Sequence, residues 1–388
     1  LRGIIAGRHD IIVGTQLALF APVRDLSAVF VLREHSGSYK LAEGVRFNVR
    51  DTAVMRGYLD KCSVILSSVT PSVDSYFNGL SGKYLLIRPP SAAKARVRTI
   101  DVRASKMVRP GISKPLFEAS RSSLRAGKKV LFLINRKGHS TLLLCRECGH
   151  REVCPECRVP LVLHSGDRTL RCHYCGFSRK VPGLCSRCRS AALELLGMGT
   201  QRLQEEVQAL LGITAVRLDS DSACRASELA GILENIAGGE PRVIVGTKML
   251  TKKIAADNSI SLAALLNVDA ELGFPDFRAS EKVFAELSAL RELIEPKGEM
   301  LVQTRFPGIS LFRHLKSGDY AAFVREELAM RRELRYPPYC RLLNMRFRGE
   351  TNPLGPMLSG LIEELRGKDI EILGPTAVKG REGGEELS

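Results

Sequence analysis

Residues 145–188 read CRECGHREVCPECRVPLVLHSGDRTLRCHYCGFSRKVPGLCSRC and hold eight of the chain's 11 cysteines. We call this stretch the cysteine block. Its thiols form four C-x-x-C pairs, a spacing that lets both sulfurs of a pair reach one tetrahedral ion from a tight turn. Two pairs complete a closed site, so four pairs predict two structural Zn²⁺ sites. Disulfides are the alternative, and they are disfavoured inside the cell.

The segment between the second and third pairs predicts which pairs share an ion. Residues 161–164 and 169–171 have strand-like sequences, and a Ser-Gly-Asp turn separates them, so we expect a hairpin. The hairpin brings the two inner pairs together and lets the outer pairs close its base. We favour this nested pairing over a sequential or crossed one. His164 and His173 are alternative ligands that eight thiols make unnecessary. The predicted ligands are Cys145, Cys148, Cys185 and Cys188 in the outer site and Cys154, Cys157, Cys172 and Cys175 in the inner site.

Apolar strand-like runs alternate with helical patterns on both sides of the cysteine block. This alternation is typical of βαβ units and predicts an α/β fold with mostly parallel sheets, arranged as two lobes. The block then interrupts the second lobe near its start. The predicted strands are 11–15, 28–32, 64–68, 84–88, 130–134, 215–221, 243–247, 262–269, 299–304 and 340–348, and the main predicted helices are 50–61, 115–129, 199–211, 226–239 and 277–294.

Charge and length limit the class of protein. The 388 residues are enough for two or three domains, and the formal net charge of +16 predicts a polyanionic partner, most simply nucleic acid. A basic surface without function is the alternative. Residues 86–112 are especially basic, and we interpret them as an exposed connector between domains. No apolar run reaches the roughly 18 residues of a membrane span, and no signal peptide is evident, which predicts a cytoplasmic protein without a membrane partner. The chain does not begin with Met, which we interpret as a sign of a fragment.

Several stretches together resemble one family. They are LFLINRKGHSTLLLCRECGHREVCPEC (131–157), LELLGMGTQRLQEEVQALL (193–211), GTQLALFAP (14–22), EHSGSYK (34–40) and YPPYCRLLNMRFRG (336–349). The pattern is similar to the PriA replication-restart helicases, also called primosomal protein N′, over nearly the whole chain. The resemblance implies two RecA-like helicase lobes, a Cys-rich double zinc-binding insert and a partial α+β C-terminal domain.

The resemblance also implies domain bounds and partners. DNA, forked or single-stranded, is the expected substrate, and ATP with Mg²⁺ is the family's cofactor. The expected protein partners are primosome proteins, the single-stranded-DNA-binding protein and the replicative helicase loader. The expected domains are a lobe 1 without its P-loop part (1–110), the start of lobe 2 (111–142), the double zinc-binding insert (143–190), the rest of lobe 2 (191–308) and a partial C-terminal domain (309–388).

The motor motifs of the family are altered in this sequence. Where the family has Asp-Glu-Glu-His, this chain has Leu32, Arg33, Glu34 and His35, so the acids that orient Mg²⁺ and the attacking water are missing. No G-x-x-x-x-G-K-[ST] loop is present. The family's Ala-Lys-Gly becomes residues 251–253, Thr-Lys-Lys. Residues 288–298, SALRELIEPKG, replace the arginine-finger motif, and we interpret Arg291 there as a solvated helix residue. We therefore assign no catalytic residues and expect no ATP hydrolysis by this chain.

DNA binding is the function that we expect to remain. The resemblance places threonines at strand ends that face the phosphate backbone, and it places an aromatic residue among cations in the loop after the altered acids, which suits base stacking. An ordinary polar loop packed by Tyr39 and Phe47 is the alternative. We predict a restart protein that binds DNA and helps primosome assembly without hydrolysing ATP. An active 3′-to-5′ helicase in full-length form and a zinc-ribbon scaffold for proteins are the alternatives. The predicted DNA contacts are Thr15, Tyr39, Lys40, Arg46, Arg50, Thr70 and Thr247.

Overall fold

The structure is a computed structural model. It describes residues 1–41, 45–88, 94–134, 141–145, 147–155, 160–164, 169–172, 177–196, 199–218, 231, 234–235, 238–239, 242–247, 260–274, 276–345, 347–348, 351–365, 370–372, 377–379 and 385–387.

Helices and strands alternate through the described residues. The helices are α1 (Arg2–Ile5), α2 (Val49–Asp60), α3 (Val73–Leu80), α4 (Lys114–Arg125), α5 (Thr200–Leu211), α6 (Asp269–Leu272), α7 (Ala279–Arg291), α8 (Ser310–Ser317), α9 (Tyr320–Glu333) and α10 (Thr351–Leu365), with 3-10 turns at Gln16–Phe20 and Gly37–Tyr39. The strands are β1 (Ala28–Leu32), β2 (Ser63–Ser67), β3 (Arg96–Asp101), β4 (Met107–Arg109), β5 (Ile112–Ser113), β6 (Lys129–Leu133), β7 (Thr141–Cys145), β8 (Val162–His164), β9 (Thr169–Arg171), β10 (Ser178–Lys180), β11 (Leu193–Leu196), β12 (Ala215–Leu218), β13 (Val243–Gly246), β14 (Ile260–Leu265), β15 (Ile294–Thr304), β16 (Phe347–Arg348), β17 (Ala377–Lys379) and β18 (Glu385–Leu387). None of these helices is long and apolar enough to cross a membrane.

The chain divides into two compact units that each draw on several segments. Unit 1 consists of Leu1–Lys94, Ser280–Glu292 and Gly308–Cys340, and unit 2 consists of Ala95–Ala279, Leu293–Pro307 and Arg341–Ser388. The domain bounds that the resemblance implies stay a prediction.

Unit 2 is built on a six-stranded parallel sheet with the strand order β12-β13-β6-β14-β15-β3. The central strand β6 reads KVLFL, and all five of its residues are buried. Parallel strands covered on both faces need such continuous apolar runs. The helix α4 contributes Leu116 and Leu124 to the same core, and α5 contributes Leu203 and Val207. The predicted α/β class is therefore confirmed.

The edge strand β3 corrects the interpretation of residues 86–112 as a connector. Arg96–Asp101 pairs in parallel with the last six residues of β15, and the Arg98 guanidinium binds the Glu299 carboxylate at 2.9 Å. Only Val97 and Ile100 of this strand are buried. The other four of its six side chains reach solvent, so these positions can be charged. For this reason the sequence of the edge strand resembles that of a basic connector.

Unit 1 contains the parallel pair β1 and β2, with Ala28 opposite Ser63 and Leu32 opposite Ser67. The predicted strands 28–32 and 64–68 and the predicted helix 50–61 are thus confirmed. The predicted strands 11–15 and 84–88 are wrong, because these residues form no ladder in the described part of the chain. Side chains there, such as Val13 at 91% exposed, have no sheet neighbour to cover them.

The cysteine block forms a small antiparallel sheet with the strand order β10-β9-β8-β7-β11. The predicted hairpin is present as β8 and β9, in which Leu163 lies opposite Leu170. Both of these leucines are buried in a cluster with Cys154 and Cys172.

The last part of the chain forms α10 and a three-stranded sheet with the order β16-β18-β17. The predicted strand 340–348 shortens to Phe347–Arg348, because residues 340–345 make no ladder. Most of the predicted helix 226–239 lies outside the described residues, as do Thr251, Lys252 and Lys253.

Candidate metal centre and nucleic-acid surface

Four cysteine sulfurs converge at the base of the block. The Sγ atoms of Cys145, Cys148, Cys185 and Cys188 all lie within 4.8 Å of one another. Cys145 Sγ is 3.5 Å from Cys188 Sγ, and Cys148 Sγ is 3.6 Å from Cys185 Sγ. A zinc ion bound at about 2.3 Å by four tetrahedral thiolates keeps its sulfurs about 3.8 Å apart, so this outer site fits zinc closely.

Two matching turns present these thiols. In each turn, the first cysteine's N–H donates to the carbonyl five residues later, and the N–H four residues later donates back to that cysteine's carbonyl. The residue four positions after the first cysteine has positive φ in both turns, at 69° for Gly149 and 62° for Arg189. Glycine adopts this conformation without strain, which accounts for Gly149. The local chain thus forms the same turn twice, and the block's sheet brings the two turns together.

The thiols of the outer site differ in acidity. The backbone N–H of Cys188 is the main cause that lowers the pKa of the Cys185 thiol to about 6. The Ser190 N–H likewise lowers the pKa of the Cys188 thiol. Hydrogen bonds with neighbouring thiols, first of all Cys148, outweigh this effect and raise the pKa of Cys188 to about 12. Adjacent thiolates repel one another, so ionisation of all four is favoured only by a bound cation. This donor set is soft and closed, which suits structural zinc.

The inner site is described only in part. Cys154 and Cys172 are buried in one apolar cluster, at 0% and 2% exposed. Cys157, Cys175 and His173 lie outside the described residues. His164 lies on β8, and only its backbone is described. The inner set of ligands stays a prediction.

Glu152 is a buried acid that the sequence analysis does not single out. Its side chain is 3% exposed, and its carboxylate contacts Ser186, which lies between Cys185 and Cys188. The available signal was an acidic residue placed between two C-x-x-C pairs. Sequence alone does not show that this acid faces inward.

The altered acidic motif lies at the end of β1. Leu32 is 64% exposed, and Arg33 follows it with a φ of 53°. Glu34 is 3% exposed, and its carboxylate accepts hydrogen bonds from the hydroxyls of Ser72 and Ser75, both at 3.0 Å. Ser72 is the N-cap of α3, so Glu34 ties the end of β1 to the start of that helix. The retained acid therefore has a structural role here, with its oxygens already occupied.

The predicted DNA contacts separate into exposed and interior residues. Thr15, Lys40 and Arg46 are exposed. Tyr39 packs on the cluster around Val31, and its hydroxyl donates to the Leu32 carbonyl at 2.7 Å. This is the packed-loop alternative for Tyr39.

The other three contacts point into the protein. Arg50 is half-buried and donates to the Ser72 hydroxyl at 2.6 Å. Thr70 and Thr247 are both 4% exposed.

The expectation that Arg291 is solvated is wrong, because it is half-buried and its guanidinium donates to the Leu315 carbonyl at 2.9 Å. Burial lowers the pKa of Arg291.

Known proteins are similar in sequence to most of this chain. Residues 154–180 match the family described as the PriA DNA helicase Cys-rich region (CRR) domain. The replication restart protein PriA of Haemophilus influenzae is 35% identical over 342 residues, which cover 86% of this chain and 47% of that protein. This chain is therefore similar in sequence to PriA proteins.

Other PriA proteins match along nearly the entire chain. That of Rickettsia felis is 30% identical over 388 residues, covering 97% of this chain and 60% of the relative. The PriA protein of Bacillus subtilis is 31% identical over 383 residues, which cover 95% of this chain and 47% of that protein. The chain thus spans about half the length of the PriA proteins that it matches.

Proposed function

We propose that this chain is a zinc-stabilised part of a PriA-type replication-restart protein, which binds forked or single-stranded DNA and helps to assemble the primosome without hydrolysing ATP through its own residues. The observation that carries the proposal is the 30% identity to a PriA protein over 388 residues. The convergence of four cysteines at the base of the block supports it. Two zinc ions hold the block, one in each nested site. By the same likeness, the partners are primosome proteins, a single-stranded-DNA-binding protein and a replicative helicase loader.

The altered motor residues support binding without hydrolysis. The exposed side chain of Leu32 has no oxygen for the waters around Mg²⁺. Arg33 adds a positive charge where an acid polarises the attacking water in the family. Glu34 is already engaged by two serine hydroxyls. These changes lie inside the chain and do not depend on where it begins.

Lys40 and Arg46 are the cations that we propose for DNA contact. Each is next to one end of a hydrogen bond in unit 1, in which Leu41 N donates to the Phe47 carbonyl at 3.0 Å. Both are exposed, whereas Arg50 in the same region is held by Ser72 and Asp51. Two exposed cations placed in this way are suited to phosphate contact.

Replacing both Lys40 and Arg46 by alanine is expected to weaken binding to forked DNA about tenfold at moderate salt, because two phosphate contacts and their released counterions are lost. The slope of log affinity against log salt should fall by about 1.5 to 2. Fluorescence anisotropy with a labelled fork between low and moderate salt measures both quantities.

The matched control is Arg24→Ala with Lys83→Ala, which removes the same charge from two other exposed positions of unit 1. If both double variants weaken binding equally, Lys40 and Arg46 have no special role in DNA binding. If the unaltered chain shows no binding even at low salt, the protein-scaffold alternative is favoured.

ATP turnover by this chain with Mg²⁺ and forked DNA is expected to remain at the background rate. The reason is the absence of an acid at positions 32 and 33. A coupled ATPase assay across the fractions of a size-exclusion peak makes the measurement. Turnover that follows the protein peak and is lost on heat unfolding would contradict the proposal and favour the helicase alternative.

A further inference from the structure

Glu152 lies at the junction of the two halves of the cysteine block. It follows the first C-x-x-C pair and comes two residues before Cys154. Its own carbonyl accepts a hydrogen bond from Leu161 N at 2.8 Å, just before β8 begins. A carboxylate only 3% exposed is costly to bury and needs donors to compensate.

The donors to the Glu152 carboxylate come from the Cys185–Cys188 turn and from β10. Glu152 Oε1 accepts from Ser186 Oγ at 2.8 Å and from Ser186 N at 3.3 Å. The Arg179 guanidinium, on β10, forms a salt bridge with Oε2. Arg179 thereby balances the negative charge that the carboxylate would otherwise place beside a cluster of thiolates.

The hydrogen bonds to Ser186 bear directly on the outer site. Ser186 lies between Cys185 and Cys188, and the next residue donates its N–H to Cys185 Sγ at 3.4 Å. The Ser186 hydroxyl has one proton, which it gives to the carboxylate. His150 Nε2, at 2.9 Å, therefore donates to the Ser186 oxygen. Glu152 thus fixes the turn that presents two of the four outer thiols.

The salt bridge reaches the hairpin that carries the inner cysteines. β10 pairs with β9, with Arg179 opposite Leu170, and Cys172 follows β9 by one residue. One carboxylate is therefore bonded to the outer turn through Ser186 and to the inner hairpin through Arg179.

We propose that Glu152 is a positioning residue for the zinc centre: it holds the Cys185–Cys188 turn in its ligating geometry and couples that turn to the inner hairpin. Outer groups that orient metal ligands commonly change metal affinity by 10- to 100-fold when removed. Retention of zinc at the outer site depends on Glu152, independently of any DNA binding.

The test measures zinc release from the full chain to a chromogenic chelator. Glu152→Ala is expected to accelerate release about 10- to 100-fold. Glu152→Gln should give a smaller acceleration, since the amide oxygen still accepts from Ser186 while its NH₂ group cannot neutralise Arg179. Glu147→Gln is the matched control, because Glu147 is exposed and directly precedes the ligand Cys148.

A double-mutant cycle decides whether Glu152 acts through the turn. Ser186→Ala alone should accelerate release, and adding Glu152→Ala should accelerate it by clearly less than the product of the two single effects. Cobalt(II) loaded in place of zinc should show an altered thiolate charge-transfer band in Glu152→Ala and an unchanged band in Glu147→Gln.

Three outcomes would overturn the proposal. They are unchanged release in both Glu152 variants, equal release in the Glu147 control, and multiplicative effects in the cycle. If Glu152→Ala does not fold, Glu152→Gln and Ser186→Ala alone decide the matter, since both are small changes.

Discussion

Cys185→Ser is expected to remove about one zinc per chain and to unfold the base of the cysteine block. The Cys185 thiol is fully buried and has the lowered pKa of a thiol that is readily ionised. A serine hydroxyl is a poor zinc ligand, and a small domain of this kind depends on its metal for folding. Zinc content by atomic emission and amide hydrogen exchange across residues 141–196 make the measurement.

Cys62→Ser is the control for Cys185→Ser. Cys62 is a partly buried thiol of unit 1 that is not part of the cluster. The Cys62→Ser variant should retain two zinc ions per chain, and amide hydrogen exchange in the cysteine block should be unchanged. A full zinc content in Cys185→Ser would remove this residue from the ligand set and with it the nested pairing.

Arg331→Met is expected to destabilise unit 1 by about 3 to 5 kcal/mol, the usual result of breaking a buried ion pair from one side. Arg331 lies on α9 and is 0% exposed. Its guanidinium binds Glu327 and Glu281, each at 2.8 Å. Methionine leaves the buried Glu327 and the half-buried Glu281 without their cation. The shift of the urea midpoint, followed by circular dichroism, measures the loss.

The penalty for Arg331→Met should decrease on acidification. Burial raises the pKa of Glu327 above its usual value, and Arg331 opposes that rise. Without the cation the folded-state pKa rises further. A raised carboxyl pKa costs stability above the folded pKa, and that cost disappears as the pH falls to the unfolded value near 4.5.

Arg325→Met is the matched control, because Arg325 is an exposed arginine of the same helix. It should change the free energy of unfolding by less than about 0.5 kcal/mol. Equal effects of the two substitutions, or an Arg331 penalty that does not vary with pH, would show that the buried pair does not stabilise unit 1.

The sequence by itself determined the features that depend on local spacing. Continuous apolar runs such as residues 130–134 predicted the strands of the parallel sheet. The C-x-x-C spacing predicted the turns, and the Ser-Gly-Asp segment predicted the hairpin between the inner pairs. A turn or a buried strand is specified by residues within a few positions of one another, so these features can be read from the chain directly.

Only the tertiary structure decided the roles of individual polar residues. Glu152 and Ser186 are 34 residues apart, and Arg331 and Glu281 are 50 apart, so no local pattern predicts these contacts. Burial also separated exposed Lys40 and Arg46 from Tyr39, Arg50 and Thr70, which the sequence placed in one DNA-binding set. Pairing with β15 likewise places Arg96–Asp101 in the sheet, although this segment is as basic as a surface loop. Whether a charged side chain meets water or a buried partner depends on distant segments, and folding alone brings those segments together.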